Sequence, residues 1–247
     1  MKVGIIGFGN MGASIYKTLK NKHQIYVSEK NLDRISKYKI NNIQLDEKLE
    51  LDYIILAIKP KDLASFSTNW KGKYISILAG VDTSTLKNKL KVDKVIRLMP
   101  NIGLTVGKGI AGVYFDGIDG NEKEKDRSFL NEITKIVEVS NQDLIDSITS
   151  LSGSGPAFVF MFFESMVNAG IRIGLDRETA SILVEETILG SIELIKKTKN
   201  HPAHLKEIVA SPAGTTIEGI AKLEEKGFRS SIIEAVYAAY QKAKKIN

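Results

Sequence analysis

The sequence predicts an α/β fold: an N-terminal Rossmann-like, doubly wound sheet followed by an all-α C-terminal domain. Three observations carry this. Short β-branched runs alternate with amphipathic stretches through the first 149 residues, the pattern of a mainly parallel sheet covered by helices. A G-x-G-x-x-G loop, Gly7-Phe8-Gly9-Asn10-Met11-Gly12, follows the first run and opens the first helical stretch. Past Ser150 the strand pattern stops and long helical stretches take over. The expected domains are therefore 1–149 and 150–247.

Taken in order, Lys2–Ile6 reads as a strand and Met11–Lys20 as a helix, with Ile15, Tyr16 and Leu19 on one face. Gln24–Ser28 is a second strand. Asp52–Ile58 is almost continuously apolar, as a strand buried on both faces must be. Tyr74–Leu78, Val95–Met99 and Gly109–Phe115 read as further strands. Helices are expected near Leu63, over Thr83–Leu90 and over Glu122–Val137, where Phe129, Leu130, Ile133, Ile136 and Val137 fall at helical spacing. Leu151-Ser152-Gly153-Ser154-Gly155-Pro156 is a breaker cluster, and Pro156 suits a first helical turn, where its missing N–H is harmless. Ala157–Gly170, Arg177–Lys197 and Ser230–Lys245 then read as long helices, with a shorter one over Thr216–Lys226.

Composition narrows the function. The 247 residues are 43% hydrophobic and 26% charged, the balance of a globular rather than a disordered chain. Without any cysteine there is no disulfide framework, Fe–S cluster, cysteine metal site or thiol nucleophile, and a cytoplasmic location is expected. No metal site is expected. No segment approaches the roughly 20 apolar residues that span a bilayer, so no membrane association is expected. The net charge is 35 − 29 = +6, but the basic residues do not cluster, so no nucleic-acid partner is expected.

The glycine loop points to a dinucleotide. Gly7 permits the tight turn, Gly9 lets backbone approach a pyrophosphate, and Gly12 lets the helix pack closely on the strand. The helix start then offers N–H donors and a positive dipole end to the phosphates. At the end of the second strand Ser28-Glu29-Lys30 faces two ways: Glu29 could grip the ribose hydroxyls of NADH, whereas Ser28 and Lys30 could hold the 2′-phosphate of NADPH. Ala57-Ile58-Lys59-Pro60, Ala79-Gly80 and Asn101 end later strands at the edge that borders the crevice. Lys59 there either meets a phosphate or ribose or is simply solvated, and Asn101 either orients a loop or a nicotinamide or caps a turn.

Ser211-Pro212-Ala213-Gly214-Thr215-Thr216 is a small, hydroxyl-rich loop at a helix start. Such a start either binds a carboxylate through free N–H groups or is capped by Thr215 or Thr216 with nothing bound.

These segments, in this order, resemble the pyrroline-5-carboxylate reductases. The likeness runs through Gly7–Gly12, Leu56–Pro60, Ile77–Val81, Val95–Asn101, Leu151–Phe158, His201-Pro202, Leu205-Lys206 and Val209–Thr216. Ser152–Ala157 and Ser211–Thr216 are its most distinctive blocks. The resemblance implies NADPH- or NADH-dependent reduction of 1-pyrroline-5-carboxylate to L-proline, the last step of proline biosynthesis. It implies that the Thr216 hydroxyl lies at the imine nitrogen, that the amides of Gly214, Thr215 and Thr216 hold the substrate carboxylate, and that Ser211 shapes the loop. It further implies a homodimer or a larger assembly of dimers, with the helical domain as the dimerisation domain and the substrate loop supplied by the neighbouring subunit. The His201-Pro202 pair implies a structural role for His201.

The sequence departs from the family pattern at four places. Ile102-Gly103-Leu104 stands where Thr-Pro-Ala is usual, which leaves open a related imine or carbonyl reductase of altered specificity, or a catalytically weak dinucleotide-binding paralogue. Glu29 stands where NADPH-preferring members have a small polar residue, and Gln44 where some have Asn near the adenine ribose. Ala213 replaces a frequent glycine, which matters if the backbone there needs positive φ. A coenzyme F420:NADP oxidoreductase would share the glycine loop but not Ser211–Thr216.

Overall fold

The computed structural model describes residues 1–245; positions 246 and 247, the end of the expected second domain, lie outside the described residues. In chain order the first elements are β1 (Lys2–Ile6), α1 (Asn10–Leu19), β2 (Gln24–Ser28), α2 (Asp33–Ser36), β3 (Leu49–Leu56), β4 (Trp70–Ser76) and α3 (Thr83–Leu90). They are followed by β5 (Val95–Pro100), β6 (Ile110–Asp116), α4 (Gly120–Ile133), β7 (Lys135–Glu138) and α5 (Leu144–Ile148). The seven strands form one sheet in the order β2-β1-β3-β4-β5-β6-β7. All neighbours run parallel except β5 and β6, which pair antiparallel from Val95↔Asp116 to Pro100↔Ala111. The chain order reverses at β1, which lies between β2 and β3; such a switch point opens a crevice at the strand's carboxyl end.

The alternation of side chains builds two cores. In β3, Tyr53 and Ile55 join Val3, Ile5, Ile15 and Phe129 on one face of the sheet, while Ile54 and Leu56 join Trp70, Tyr74 and Leu86 on the other. A strand covered on both sides has no polar face to show, which is why it reads as a continuous apolar run.

The structure revises several element boundaries. β3 and β4 begin earlier than expected, because Leu49 and Trp70 pair before a register shift between Glu50 and Tyr53. The helix expected near Leu63 is a single 3₁₀ turn, Pro60–Asp62. The helix expected over Glu122–Val137 stops at Ile133; Thr134 turns extended and Lys135–Glu138 pairs with β6 instead. The β-branched pair Ile136-Val137 fits helical spacing, but strand pairing with Ala111 and Gly112 wins.

The expected breaker cluster does not break the chain. Thr149–Gly153 forms one π turn between α5 and α6 (Gly155–Arg172), closed by the Ser154 N–H donating to the Thr149 carbonyl at 2.9 Å. Pro156 has no N–H for an ordinary helical bond, and a wider turn absorbs that misfit. The hydroxyls of Thr149, Ser150 and Ser152 donate to carbonyls four residues back, at 2.7, 2.8 and 3.2 Å.

Four more helices follow: α7 (Arg177–Thr198), α8 (Pro202–Val209), α9 (Thr215–Glu225) and α10 (Phe228–Lys244). The chain divides into two compact units, Met1–Pro156 with the segment from Ala238 onward, and Ala157–Tyr237. Side chains cap several helix starts. Asp82 accepts from Thr85 N–H in α3, Asp176 from Thr179 N–H in α7, and the His201 Nδ1 from Ala203 N–H in α8, at 2.6, 2.9 and 3.2 Å. α1 and α9 differ: each begins at a glycine, Gly9 or Gly214, with no side-chain cap.

Candidate functional site

β1 delivers the chain into Gly7 at φ +95°, where the Gly7 N–H donates to the Ser28 carbonyl at 2.8 Å. A Cβ on Gly7 would lie 2.6 Å from the Ala57 carbonyl oxygen, and one on Gly12 would collide with the Gly7 carbonyl oxygen. These two glycines are therefore fixed by turn geometry and close packing. A Cβ on Gly9 would meet nothing within 4 Å. Gly9 is free for another reason: it faces open space at the mouth of α1, where the first N–H groups have no partner within the helix. With no acidic side chain in the first turn of α1, the residues present fit a bound pyrophosphate.

A cleft of about 1290 Å³ opens over this loop. Of the residues expected to hold a dinucleotide, Gly7, Phe8, Gly9, Asn10, Met11, Ser28, Glu29, Ala57, Ile58, Lys59, Pro60 and Ala79 line it. Gly12, Gly80 and Asn101 do not. Gly12 lies beneath the loop, and Gly80 forms a turn at φ +67° ahead of α3. Asn101 is tied to its own loop: its Oδ1 accepts the Ile110 N–H at 3.2 Å, and its N–H donates to the Ile110 carbonyl at 3.1 Å. These bonds close the loop between β5 and β6, and the Asn101 side chain does not cap the 3₁₀ turn that follows it.

Glu29 is a buried acid in the cleft wall, only 9% exposed. Its Oε2 accepts the Phe8 N–H at 2.5 Å, and its Oε1 accepts the Asn31 N–H at 2.9 Å. The carboxylate thus ties the end of β2 to the glycine loop. Arg34 lies 3.6 Å from Oε2 and is itself half exposed.

Several lining residues escape motif reading. Phe8, Tyr16 and Tyr38 meet edge to face, with centroids 5.2 to 5.9 Å apart, and Phe8 and Tyr38 are part of the cleft wall. Lys17, Arg34 and Lys37 add positive charge to the wall, and Gln44, Ile102 and Thr105 also line it. Arg34 sits in, and Tyr38 just after, the four-residue helix α2, too short for a periodic signal. Only Gln44 and Ile102 had a sequence clue, as departures from a family pattern.

At α9, the N-cap is Gly214, so neither Thr215 nor Thr216 caps the helix with its hydroxyl. The Gly214 N–H donates to the Ser211 carbonyl at 3.1 Å. The amides of Thr215, Thr216 and Ile217 are the first three of the helix, where no intrahelical acceptor exists. Ser211 Oγ lies where a Cβ on Gly214 would stand, so a larger residue at this N-cap would have to turn the Ser211 side chain aside. Ser211, Ala213 and Thr215 are exposed, and Thr216 is half-buried.

Comparison with known proteins gives this arrangement its relatives. A family model described as NADP oxidoreductase coenzyme F420-dependent matches residues 2–80, and one described as Pyrroline-5-carboxylate reductase dimerisation matches residues 142–246. A pyrroline-5-carboxylate reductase from Aquifex aeolicus is 35% identical over 100% of this chain and 97% of its own length. The chain belongs to the pyrroline-5-carboxylate reductase family. Two solved structures bear this reductase out as a fold. The Streptococcus pyogenes 1-pyrroline-5-carboxylate reductase superposes with TM-score 0.90 at 27% identity, covering 99% of this chain and 98% of that one. The Plasmodium falciparum pyrroline carboxylate reductase, solved with NADP bound, gives TM-score 0.84 at 28% identity, covering 100% and 98%. The first family match spans the glycine loop through Gly80, the part of this reductase that builds most of the cleft. The second spans α5 to α10, so the reductase is a homo-oligomer built through its helical part. Among the described residues no helix is long and apolar enough to cross a membrane, and no group of His, Asp and Glu side chains could hold a metal ion.

Proposed function

We infer that the chain reduces 1-pyrroline-5-carboxylate to L-proline with NADH or NADPH. One observation carries this reading. In a chain related over its full length to these reductases, two helices start at glycine without a side-chain cap, one in a cleft of dinucleotide size and one in the Ser211–Thr216 loop. When bound, the reduced nicotinamide supplies the hydride to the carbon of the cyclic imine.

The chain's own residues bind and orient. The N–H groups at the start of α1 hold the pyrophosphate, and Lys59 adds positive charge beside it. Ala57, Ile58, Pro60 and Ala79 wall the cleft, and Ser28 and Glu29 meet the adenosine ribose. A carboxylate fixed by two backbone N–H groups keeps free lone pairs for ribose hydroxyls and repels a 2′-phosphate, so NADH is the preferred donor. At α9 the Gly214 N–H already serves the turn, so the Thr215 and Thr216 amides take the substrate carboxylate. The Thr216 hydroxyl orients the imine nitrogen and relays its proton. The Ser211 carbonyl closes the turn that leads into the helix. Alignment of donor and acceptor, with no covalent intermediate, supplies much of the rate.

The working unit is a homodimer or an assembly of dimers, without nucleic acid, in the cytoplasm where the reduced nicotinamide pool is kept. Ile102, apolar and 40% exposed in the cleft wall, supports a second reading, a related imine reductase with another preferred ring. The test is the purified chain with 1-pyrroline-5-carboxylate and either nucleotide, following loss of reduced-nicotinamide absorbance and appearance of L-proline. No oxidation of either cofactor overturns the main reading; turnover only with other cyclic imines selects the second.

A further inference from the structure

Four non-glycine residues among those described have φ in the left-handed region: Lys39, Lys91, Lys199 and Ala213, at 54° to 56°. Lys91 and Lys199 are the C-caps of α3 and α7, and Lys39 follows α2 in a turn closed by its N–H donating to the Ser36 carbonyl. A left-handed residue just past a helix is an ordinary way to stop it. Ala213 has no such reason, because it precedes a helix.

The reason lies in the turn. Ser211-Pro212-Ala213-Gly214 is closed by the Gly214 N–H donating to the Ser211 carbonyl at 3.1 Å. Proline at the second position fixes a negative φ there. With positive φ at the third position, the turn is type II, whose third residue is normally glycine. The Ala213 side chain is exposed, so no packing offsets its strain. The strain cannot pass to the next residue either, because Gly214 is held as the α9 N-cap with its N–H bonded to the Ser211 carbonyl. Turn and N-cap together set where the Thr215 and Thr216 amides point.

We propose that Ala213 is a positioning residue for substrate, its left-handed strain limiting how fully the Ser211–Thr216 loop holds its carboxylate-binding form. This rests on the carboxylate reading of α9. Strained backbone of this kind is typically held at ligand clamps and active sites. In this chain the strain weakens the imine's binding and leaves the cofactor cleft untouched.

The experiment is steady-state kinetics on the intact oligomer for Ala213→Gly and Ala213→Val. Glycine removes the left-handed penalty, so the KM for 1-pyrroline-5-carboxylate falls about fivefold. kcat and the NADH KM stay unchanged. Valine, β-branched and poorly tolerated at positive φ, raises the same KM. The dissociation constant of L-proline, used as a binding probe, follows the same order. A substrate KM that is flat across glycine, alanine and valine overturns the proposal, as does an NADH KM that moves in parallel. L-proline binding separates the two levels. If L-proline binds the parent and both variants with the same dissociation constant, only the strain argument fails. If L-proline binds neither the parent nor either variant, the carboxylate reading beneath it fails.

Discussion

Thr216 divides its work between backbone and side chain. As the second residue of α9 it offers an N–H without an intrahelical acceptor, and its half-buried hydroxyl is free of capping duty because Gly214 is the N-cap. Thr216→Ala keeps the amide and removes the hydroxyl, so any loss reports the hydroxyl alone. We expect kcat/KM for the imine to fall at least about tenfold, or about 1.4 kcal/mol of transition-state stabilisation, with Thr216→Ser retaining most of it. Wild-type turnover in the alanine variant removes the hydroxyl from the mechanism. Glu29 carries two jobs of a different kind. Its charge selects the ribose, and its oxygens anchor the Phe8 and Asn31 N–H groups. Glu29→Ser therefore raises the NADPH-to-NADH preference ratio and weakens both cofactors, whereas Glu29→Gln keeps a carbonyl acceptor and shifts mainly the ratio. Paired KM values on one preparation decide it; an unchanged ratio in both variants means that Glu29 does not face the ribose. The glycine loop and Glu29 were legible because tight backbone geometry needs particular residue types. Arg34, Lys37 and Tyr38 reach the cleft through tertiary folding around the short helix α2, and no local pattern announces them.

Among the elements, α4 shows what a periodic reading misses. Its apolar face, Phe129, Leu130 and Ile133, was legible from spacing. Asp126 shares that face, three and four residues before Phe129 and Leu130, and is fully buried. Its Oδ1 accepts the Tyr53 hydroxyl at 2.7 Å, and both its oxygens accept from the Lys73 Nζ, at 2.9 and 2.7 Å. Lys73 also pairs with Glu122 at 2.7 Å, and Tyr53 stacks on Phe129 with centroids 4.1 Å apart. Burial and the neighbouring Asp126 push the Tyr53 hydroxyl above its ordinary pKa, so it stays a donor. Partners from β3 and β4, far away in sequence, make this acid tolerable, which is why a single helix cannot reveal it. Asp126→Ala leaves the buried Tyr53 hydroxyl without its acceptor and the largely buried Lys73 ammonium with Glu122 alone, and we expect a loss of about 3 kcal/mol in urea unfolding. The KM values should not move, since Asp126 is absent from the cleft wall. A loss under about 1 kcal/mol would show that Glu122 and solvent replace the interaction. The same non-local logic explains β7, where pairing with β6 overrides a helical spacing of apolar residues.

Across the whole molecule the two compact units differ in how they bury apolar surface. Met1–Pro156 fills both faces of its sheet with aliphatic and aromatic side chains. Ala157–Tyr237 has one small cluster, in which the buried hydrophobic residues are Val167, Ala180 and Val184. It leaves Phe160 at 64%, Met161 at 67%, Leu183 at 52% and Ile233 at 65% exposed. Apolar surface on that scale does not stay in water on a stable monomer, and a helical unit of this length with so small a core is poorly stabilised alone. We expect homo-oligomerisation through the segment matched as a dimerisation domain to cover it. The sequence showed these helices to be apolar but could not tell an internal core from an interface, because both use the same periodicity. Their exposure in the single chain favours the interface. Ile233→Glu places a charge on that face of α10 without removing a buried side chain, so it opposes association more than folding. In sedimentation we expect a smaller species with little imine reduction. NADH binding, followed by its fluorescence, should persist because the glycine cleft lies wholly in the other unit. An Ile233→Glu protein that sediments as the parent oligomer and reduces the imine normally would place the subunit contact on another part of the helical surface.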